Sequence, residues 1–227
     1  MPQLQRLSLP GLMSDGPLTD LTPVSSTPII GVIGPPCSGK STVARHLESL
    51  GGVWLNADEI AKSQLSEPDI IHELKSLFGD SIQMADGSLS RSRLADLVFG
   101  DDESSHARLR HLEGVLHPRT RTILQSEIAK AKSDRQPFVI LDVPLLLESG
   151  YRETCDEVWC LQVAPERHQK LLASRGWDMD ELERRNARQW SWERKRSAST
   201  RVIPNNGTLD ELRRLVESEL TSVLQSK

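Results

Sequence analysis

The chain has 227 residues, of which 37% are apolar and 26% are charged, and its formal net charge is −4. This length allows one core with a smaller inserted part, and the acidic balance provides no positive field for nucleic acid or an anionic membrane surface. No apolar run approaches the roughly 20 residues that span a bilayer. The three cysteines lack metal-ligand spacing, which favours a reducing cytosol. We therefore expect a cytoplasmic protein with neither a membrane nor a nucleic-acid partner.

The first segment of the chain is rich in proline, and five of the 13 prolines lie within the first 28 residues. It contains neither the apolar block of a secretory signal nor the Arg-rich pattern of a transit peptide. We predict a flexible N-terminal extension over residues 1–27 and one domain over residues 28–227.

The next elements alternate between strand and helix. Residues 28–34 form a short β-branched run that ends in glycine and is typical of a buried parallel strand. The following helix should turn Val43, Leu47 and Leu50 inward and end at a Gly-Gly pair, before a second short strand at residues 53–55. Residues 59–132 are predicted to be mostly helical because apolar residues from Leu109 to Ile128 keep helical spacing.

The remaining elements continue the alternation. A third strand ends before Pro144, a fourth covers residues 157–164 and a fifth covers residues 201–204. Helical patterns occupy residues 165–197 and 208–225. Strands that alternate with helices predict an α/β fold with a parallel sheet covered on both faces, here a five-stranded sheet in a three-layer α/β/α arrangement.

A phosphate-binding loop joins the first strand to the first helix. Gly34, Gly39, Lys40 and Ser41 complete the pattern G-x-x-x-x-G-K-[ST] in the strand-loop-helix context that the motif requires. Backbone N–H groups of such a loop bind phosphate oxygens, the lysine reaches the β and γ phosphates, and the serine hydroxyl ligates Mg²⁺. The phosphates should mostly be held by residues 37–42, which add Cys37, Ser38 and Thr42 to the predicted ATP site.

The loop alone does not identify the reaction, because GTPases, motor ATPases and small-molecule kinases share it. The Asn-Lys-x-Asp motif of GTPases and the Leu-Ser-Gly-Gly signature of ABC-type ATPases are both absent. A short chain with helices inserted between the second and third strands favours a P-loop kinase. The Gly-Pro-Pro spelling of the loop, taken alone, indicates a nucleoside monophosphate kinase.

From about residue 29 to 220 the sequence resembles the dephospho-CoA kinase family. The similar segments occur in order, and together they are far more specific than any one of them. Besides the loop they are NADEIA (56–61), FGDSI (78–82), DGSLSRSRLADLVF (86–99), HP (117–118), DVPLLLESG (142–150), RG (175–176), Gln189, Lys195 and VIPNNGTLDEL (202–212).

The resemblance implies an enzyme that transfers the γ-phosphoryl group of ATP to the ribose 3′-hydroxyl of dephospho-CoA, giving CoA and ADP, with Mg²⁺. It implies small-molecule substrates and no obligate protein partner. Residues 59–132 would form a helical acceptor-binding insertion, and residues 165–197 would form a basic lid. A nucleoside monophosphate kinase and a catalytically silent nucleotide-binding regulator are the alternatives.

The resemblance also implies roles for individual acidic residues. Asp58 would orient the acceptor hydroxyl, although an N-cap for the following helix is the structural alternative. Asp142 would hold Mg²⁺ together with Ser41. Glu148 would lie near the acceptor, or would only stabilise its loop through a hydrogen bond.

Basic and polar residues complete the implied site. Lys170, Arg175 and Arg185 would bring positive charge from the lid onto the phosphates, with Lys170 catalytic alongside Lys40 and Asp58. The other lid cations, Lys195 among them, are interpreted as surface charge. Asn205 and Gly207 would contact the adenine of ATP or merely form a turn, and Arg91 and Arg185 would bind the acceptor.

Three departures from the family pattern stand out. Asn56 replaces the first aspartate of an Asp-Ala-Asp element, which removes one negative charge. Lys170 replaces an arginine and cannot form the bidentate fork. Pro35-Pro36-Cys37 replaces Gly-Ile-Gly at the start of the loop.

Overall fold

The computed structural model describes residues 27–100, 102–176 and 189–226. Its centre is one five-stranded sheet in which all neighbouring strands are parallel, in the spatial order β2-β3-β1-β4-β5. The strands are β1 (Ile29–Ile33), β2 (Val53–Asn56), β3 (Val139–Asp142), β4 (Glu157–Gln162) and β5 (Arg201–Pro204). The predicted five-stranded parallel sheet is confirmed.

The helices connect these strands and agree closely with the predicted segments. They are α1 (Lys40–Ser49), α2 (Ala57–Gln64), α3 (Pro68–Phe78), α4 (Arg91–Val98), α5 (Glu103–Ser133), α6 (Pro165–Ala173), α7 (Trp192–Ser197) and α8 (Leu209–Gln225). None of the helices in the described part of the chain is long and apolar enough to cross a membrane. Residues 177–188 of the predicted lid lie outside the described residues.

Both faces of the sheet are covered, which confirms the three-layer α/β/α arrangement. On one face, α1 and α8 pack Leu47 and Val216 against Ile30 and Trp159 of the central strands. On the other face, the second half of α5 buries residues such as Leu124 against the sheet. All five residues of β1 are buried because this strand lies between two strands and two helical layers.

Helices α2 to α5 form the insertion between β2 and β3. Part of it has a core of its own, in which Ile70 and Leu74 of α3 meet Leu94 of α4 and Leu112 of α5. Helix α5 has 31 residues and therefore runs for about 47 Å. Its first half belongs to the insertion core and its second half to the sheet core, so α5 joins the insertion to the sheet through continuous helix.

The described fold includes Thr27, one residue before the predicted boundary at residue 28. Thr27 is buried, and its hydroxyl donates a hydrogen bond of 2.8 Å to the Gln136 carbonyl beside β3. The rest of the predicted extension, residues 1–26, lies outside the described residues.

Candidate active site

The phosphate-binding loop leaves the carboxyl end of β1 and leads directly into α1. Gly39 is the N-cap residue of α1 and adopts a left-handed backbone with φ 99°, which glycine tolerates without steric cost. Lys40 and Ser41 are the first two residues of the helix. The Lys40 ammonium donates to the Gly34 carbonyl at 2.9 Å and to the Pro35 carbonyl at 3.2 Å. The lysine is therefore folded back over the mouth of the loop.

Cys37 has a backbone conformation that is unusual for its residue type. Its φ is 60°, in the left-handed region where a Cβ atom costs roughly 1–2 kcal/mol. The family pattern has glycine at this position, and glycine would adopt the same conformation freely. The loop has therefore kept the shape expected of a glycine although the side chain has changed.

A cleft of about 990 Å³ opens beside the loop at the carboxyl edge of the sheet. It contains half of the residues predicted from the sequence for catalysis, metal binding, nucleotide binding and acceptor binding. These are Gly34, Cys37, Lys40, Ser41, Asp58, Asp142, Glu148 and Arg175. Parallel strands all end at this edge, and this is why residues so distant in sequence meet there.

Other predicted site residues do not line the cleft. Ser38 is buried beneath the loop, and Gly39 and Thr42 belong to its helical end. Arg91 starts α4 and donates to the Lys62 carbonyl at 3.2 Å. Lys170 is exposed on α6. Arg185 lies outside the described residues.

Asn56 and Asp58 have different tasks at the start of α2. The Asn56 side chain accepts a hydrogen bond of 3.1 Å from the Glu59 backbone N–H and is the N-cap of the helix. The alternative interpretation of Asp58 as the N-cap is therefore wrong. Because asparagine and aspartate cap helices about equally well, the Asn56 departure preserves the helix start, and Asp58 keeps its carboxylate in the cleft.

Asp142 ends β3 directly opposite Asn56 of β2. Burial raises the pKa of Asp142 above its ordinary value, and the Asp58 carboxylate adds to the rise although Lys40 opposes it. Burial lowers the pKa of Lys40, which Asp142 counteracts and Lys195 and Arg175 reinforce. Asp58 and Lys40 thus lie close enough to Asp142 to influence its pKa.

Glu148 and Lys195 form a nearly buried ion pair on the other side of the cleft. The Lys195 ammonium lies 3.2 Å from Glu148 Oε1 and donates to Gln189 Oε1 at 2.6 Å. The same Glu148 oxygen accepts the Trp190 backbone N–H at 2.8 Å. Burial acts to raise the pKa of Glu148, but Trp190 and Lys195 outweigh it and hold that pKa below its ordinary value.

The interpretation of Lys195 as surface charge is wrong, because its side chain is buried by this pair and lines the cleft. Lys195 and Gln189 both occur among the segments that resemble the family, and this was the signal that could have identified Lys195 as a site residue. Sequence reasoning also missed the side of the cleft that the insertion supplies. Those residues are Val98, Phe99, His106, Leu109 and Glu113.

Asn205 and Gly207 both have structural roles. Asn205 is buried, and its side-chain amide donates to the Ser38 carbonyl of the loop at 2.8 Å. Gly207 leaves room for the Glu211 carboxylate, whose oxygen would lie 2.1 Å from an added Cβ. That carboxylate completes the capping box with Thr208 at the start of α8. The predicted adenine contacts remain predictions.

Comparisons with known proteins agree with this geometry. The CoaE model of dephospho-CoA kinases matches residues 28–211. A dephospho-CoA kinase of Rhodopirellula baltica is 84% identical over 216 residues, which cover 95% of this chain and all of that relative. A second one, of Symbiobacterium thermophilum, is 37% identical over 84% of this chain and 79% of its own length.

Solved structures have the same architecture. One from Thermus thermophilus superimposes with a TM-score of 0.67 at 34% identity and covers 86% of this chain and 97% of its own. A dephospho-CoA kinase from Campylobacter jejuni gives a TM-score of 0.65 over 87% of this chain and 97% of its own. At 19% identity the latter is a likeness of fold.

Proposed function

This chain belongs to the dephospho-CoA kinase family, and from that premise we propose how its own residues transfer the γ-phosphoryl group of ATP to the 3′-hydroxyl of dephospho-CoA. The single observation that carries the proposal is the cleft. It joins Lys40 and Ser41 of the phosphate loop to Asp58 and Asp142 at the carboxyl edge of the sheet. Donor and acceptor would meet there.

The nucleotide end of the reaction depends on the loop and Lys40. The Lys40 ammonium donates to two loop carbonyls, at Gly34 and Pro35. On nucleotide binding it would exchange these neutral acceptors for phosphate oxygens, which form stronger, charge-assisted hydrogen bonds. The loop amides and the start of α1 would hold the remaining phosphate charge.

The acceptor end depends on Asp58. It is the second residue of α2, so the helix start orients it, and Asn56 relieves it of the capping role. Phosphoryl transfer through a loose transition state requires the attacking hydroxyl to be positioned more than deprotonated early. Asp58 would accept a hydrogen bond from the 3′-hydroxyl, align the oxygen with the γ-phosphorus and take its proton late.

The oxygen ligands present would suit Mg²⁺. Within residues 27–100, 102–176 and 189–226 no group of three or more His, Cys, Asp or Glu side chains forms a metal cage. Mg²⁺ at kinase sites needs only one or two carboxylates besides phosphates and water. Asp142 would hold it together with Ser41, and the Asp58 carboxylate in the same cleft adds negative charge that a cation would offset. Held there by Asp142 and Ser41, the ion would neutralise phosphate charge.

The lid would supply further positive charge. Arg175 lines the cleft immediately beyond α6, where it would contact the phosphates. Arg185 of the predicted lid lies outside the described residues and is proposed to bring positive charge to the substrates as well. Lys170 is exposed on α6, so its proposed catalytic role requires its side chain to turn toward bound nucleotide.

The sites described are suited to small molecules, and we propose neither a nucleic-acid nor an obligate protein partner. All three cysteines are free, as expected of a protein that works in the reducing cytosol.

One assay tests the proposal. The protein is incubated with ATP and Mg²⁺ plus dephospho-CoA, AMP or no acceptor, and ADP is measured. We expect ADP formation that depends on dephospho-CoA alone. Turnover with AMP instead would indicate a nucleoside monophosphate kinase, and nucleotide binding without turnover would indicate a regulator.

A further inference from the structure

The two prolines at the start of the phosphate loop change how that loop is held. Neither Pro35 nor Pro36 has a backbone N–H to donate, yet both carbonyls are engaged. The Pro35 carbonyl accepts from the Ser38 backbone N–H at 3.1 Å as well as from Lys40. The Pro36 carbonyl lies 2.7 Å from Nε2 of His168 on α6. A carbonyl oxygen can only accept, so Nε2 of His168 carries the hydrogen.

Helix α6 is also attached at its beginning. The Ala164 backbone N–H, at the N-cap of α6, donates to the Asn206 side chain at 2.7 Å. The preceding residue, Asn205, holds the Ser38 carbonyl of the loop. The segment after β5 therefore holds both the loop and the start of α6, and His168 ties the two to each other directly, one turn farther along the helix.

This arrangement bears on Arg175. Arg175 follows His168 by seven residues and lies two residues beyond the end of α6 at Ala173. A turn joins it to the helix, because its backbone N–H donates to the Leu172 carbonyl at 2.9 Å, three residues earlier. The contact between His168 and Pro36 would therefore influence, through α6 and this turn, where Arg175 reaches into the cleft.

We propose that His168 is a positioning residue for phosphoryl transfer: by holding α6 against the phosphate loop, it places the Arg175 guanidinium over the transferred group. The proposal rests on the phosphate-binding role proposed above for Arg175. His168 does not line the cleft, and its proposed effect passes through the loop and the helix.

The test is a double-mutant cycle between His168 and Arg175. His168→Leu removes the donor, and His168→Gln keeps an amide N–H at a similar reach. A misplacement of about 1 Å in an active site can cost on the order of a hundredfold in rate. We therefore expect His168→Leu to lower kcat by about tenfold with the KM for dephospho-CoA unchanged, and His168→Gln to restore most of the loss.

In the Arg175→Ala background, His168→Leu should have almost no additional effect on kcat, because the group that it positions is gone. The control His72→Leu removes an exposed imidazole on α3 that does not line the cleft, and it should leave kcat unchanged. Melting temperatures of all variants show whether each one folds. If His168→Leu does not fold, His168→Asn replaces it, since the shorter amide falls short of the Pro36 carbonyl.

The remaining outcomes each decide the matter. An unchanged kcat in His168→Leu overturns the proposal. It is also overturned if the fold-losses in kcat of the two single variants multiply in the double variant, because His168 would then act independently of Arg175. If Arg175→Ala itself keeps full activity, the phosphate-binding role of Arg175 fails, and the positioning role of His168 fails with it. A loss confined to the His168 variants would identify that case.

Discussion

Lys195 Nζ lies 3.2 Å from Glu148 Oε1, and the two side chains are only 11% and 14% exposed. The pair joins the loop after β3 to the segment around Gln189 and Trp190, since the lysine also donates to Gln189 and the glutamate also accepts from Trp190. Each charge is thus paired and hydrogen-bonded, which is the condition under which buried charges are tolerated.

Removing one member of this pair should lower the free energy of unfolding. Lys195→Met leaves the Glu148 carboxylate buried without a cation, which typically costs about 3–5 kcal/mol of unfolding free energy. Urea unfolding at neutral pH measures the loss. Lys130→Met, at an exposed lysine on α5, is the control and should change the stability by less than about 0.5 kcal/mol. Adding Glu148→Gln to Lys195→Met should recover part of the loss. If the double variant loses as much unfolding free energy as the two single variants together, the unpaired carboxylate is not the cause of the instability.

Asp58 should affect turnover rather than nucleotide affinity. Asp58→Asn keeps the shape of the side chain but removes the charge that would accept the hydroxyl proton. We expect kcat to fall at least about tenfold, which corresponds to about 1.4 kcal/mol of barrier, with little change in ATP binding measured by calorimetry. The neighbouring Glu59→Gln, on the exposed side of α2 where it pairs with Lys62, is the matched control. Near-normal turnover of Asp58→Asn would exclude Asp58 from the mechanism.

The charged Asp142 side chain should lower the free energy of unfolding, and Asp142→Asn should restore that loss. Burial, helped by Asp58, raises the pKa of Asp142, so the charged form opposes folding at neutral pH even with Lys40 nearby. The penalty shrinks as the pH falls through the raised folded-state pKa and is gone below the unfolded value of about 3.9. We expect Asp142→Asn to be more stable than the unsubstituted protein at pH 7 and equally stable at low pH, as measured by urea unfolding.

The same substitution should lower kcat by about tenfold or more, because the proposed metal ligand loses its charge. A variant less stable than the unsubstituted protein at pH 7 would contradict the direction of the pKa shift. Full activity in Mg²⁺ would remove Asp142 from the metal site.

Cys37 should be the cysteine through which alkylation inactivates the enzyme. It lines the cleft, whereas Cys155 and Cys160 are buried, and burial raises the pKa of the Cys155 thiol to about 12 and also raises that of Cys160. Thiolate is the reactive form, so the buried pair should react slowly. N-ethylmaleimide should abolish activity, and ATP with Mg²⁺ should slow that loss. Cys37→Ser should resist, and inactivation of that variant at the same rate would refute the idea.

Local sequence patterns were enough to predict the fold. The phosphate loop, the five strands and the helical insertion were predicted correctly because hydrophobic spacing and glycine positions report on each element separately. The meeting of Lys40, Asp58 and Asp142 was also predictable, since parallel strands end at one edge. The buried position of Lys195 could not be predicted in this way, because the basic run around it resembles a solvated helix face.

The sequence by itself therefore determined the class of fold, the phosphate loop and the family of the enzyme, all of which depend on residues near one another in the chain or on matched segments. Only the tertiary structure decided which polar groups stabilise the site through hydrogen bonds and ion pairs. Asn56 caps α2, Asn205 holds the Ser38 carbonyl, His168 holds the Pro36 carbonyl and Lys195 neutralises Glu148. For the last three the partner lies 47 to 167 residues away, and such pairings are set by how helices and strands pack, which local patterns do not encode.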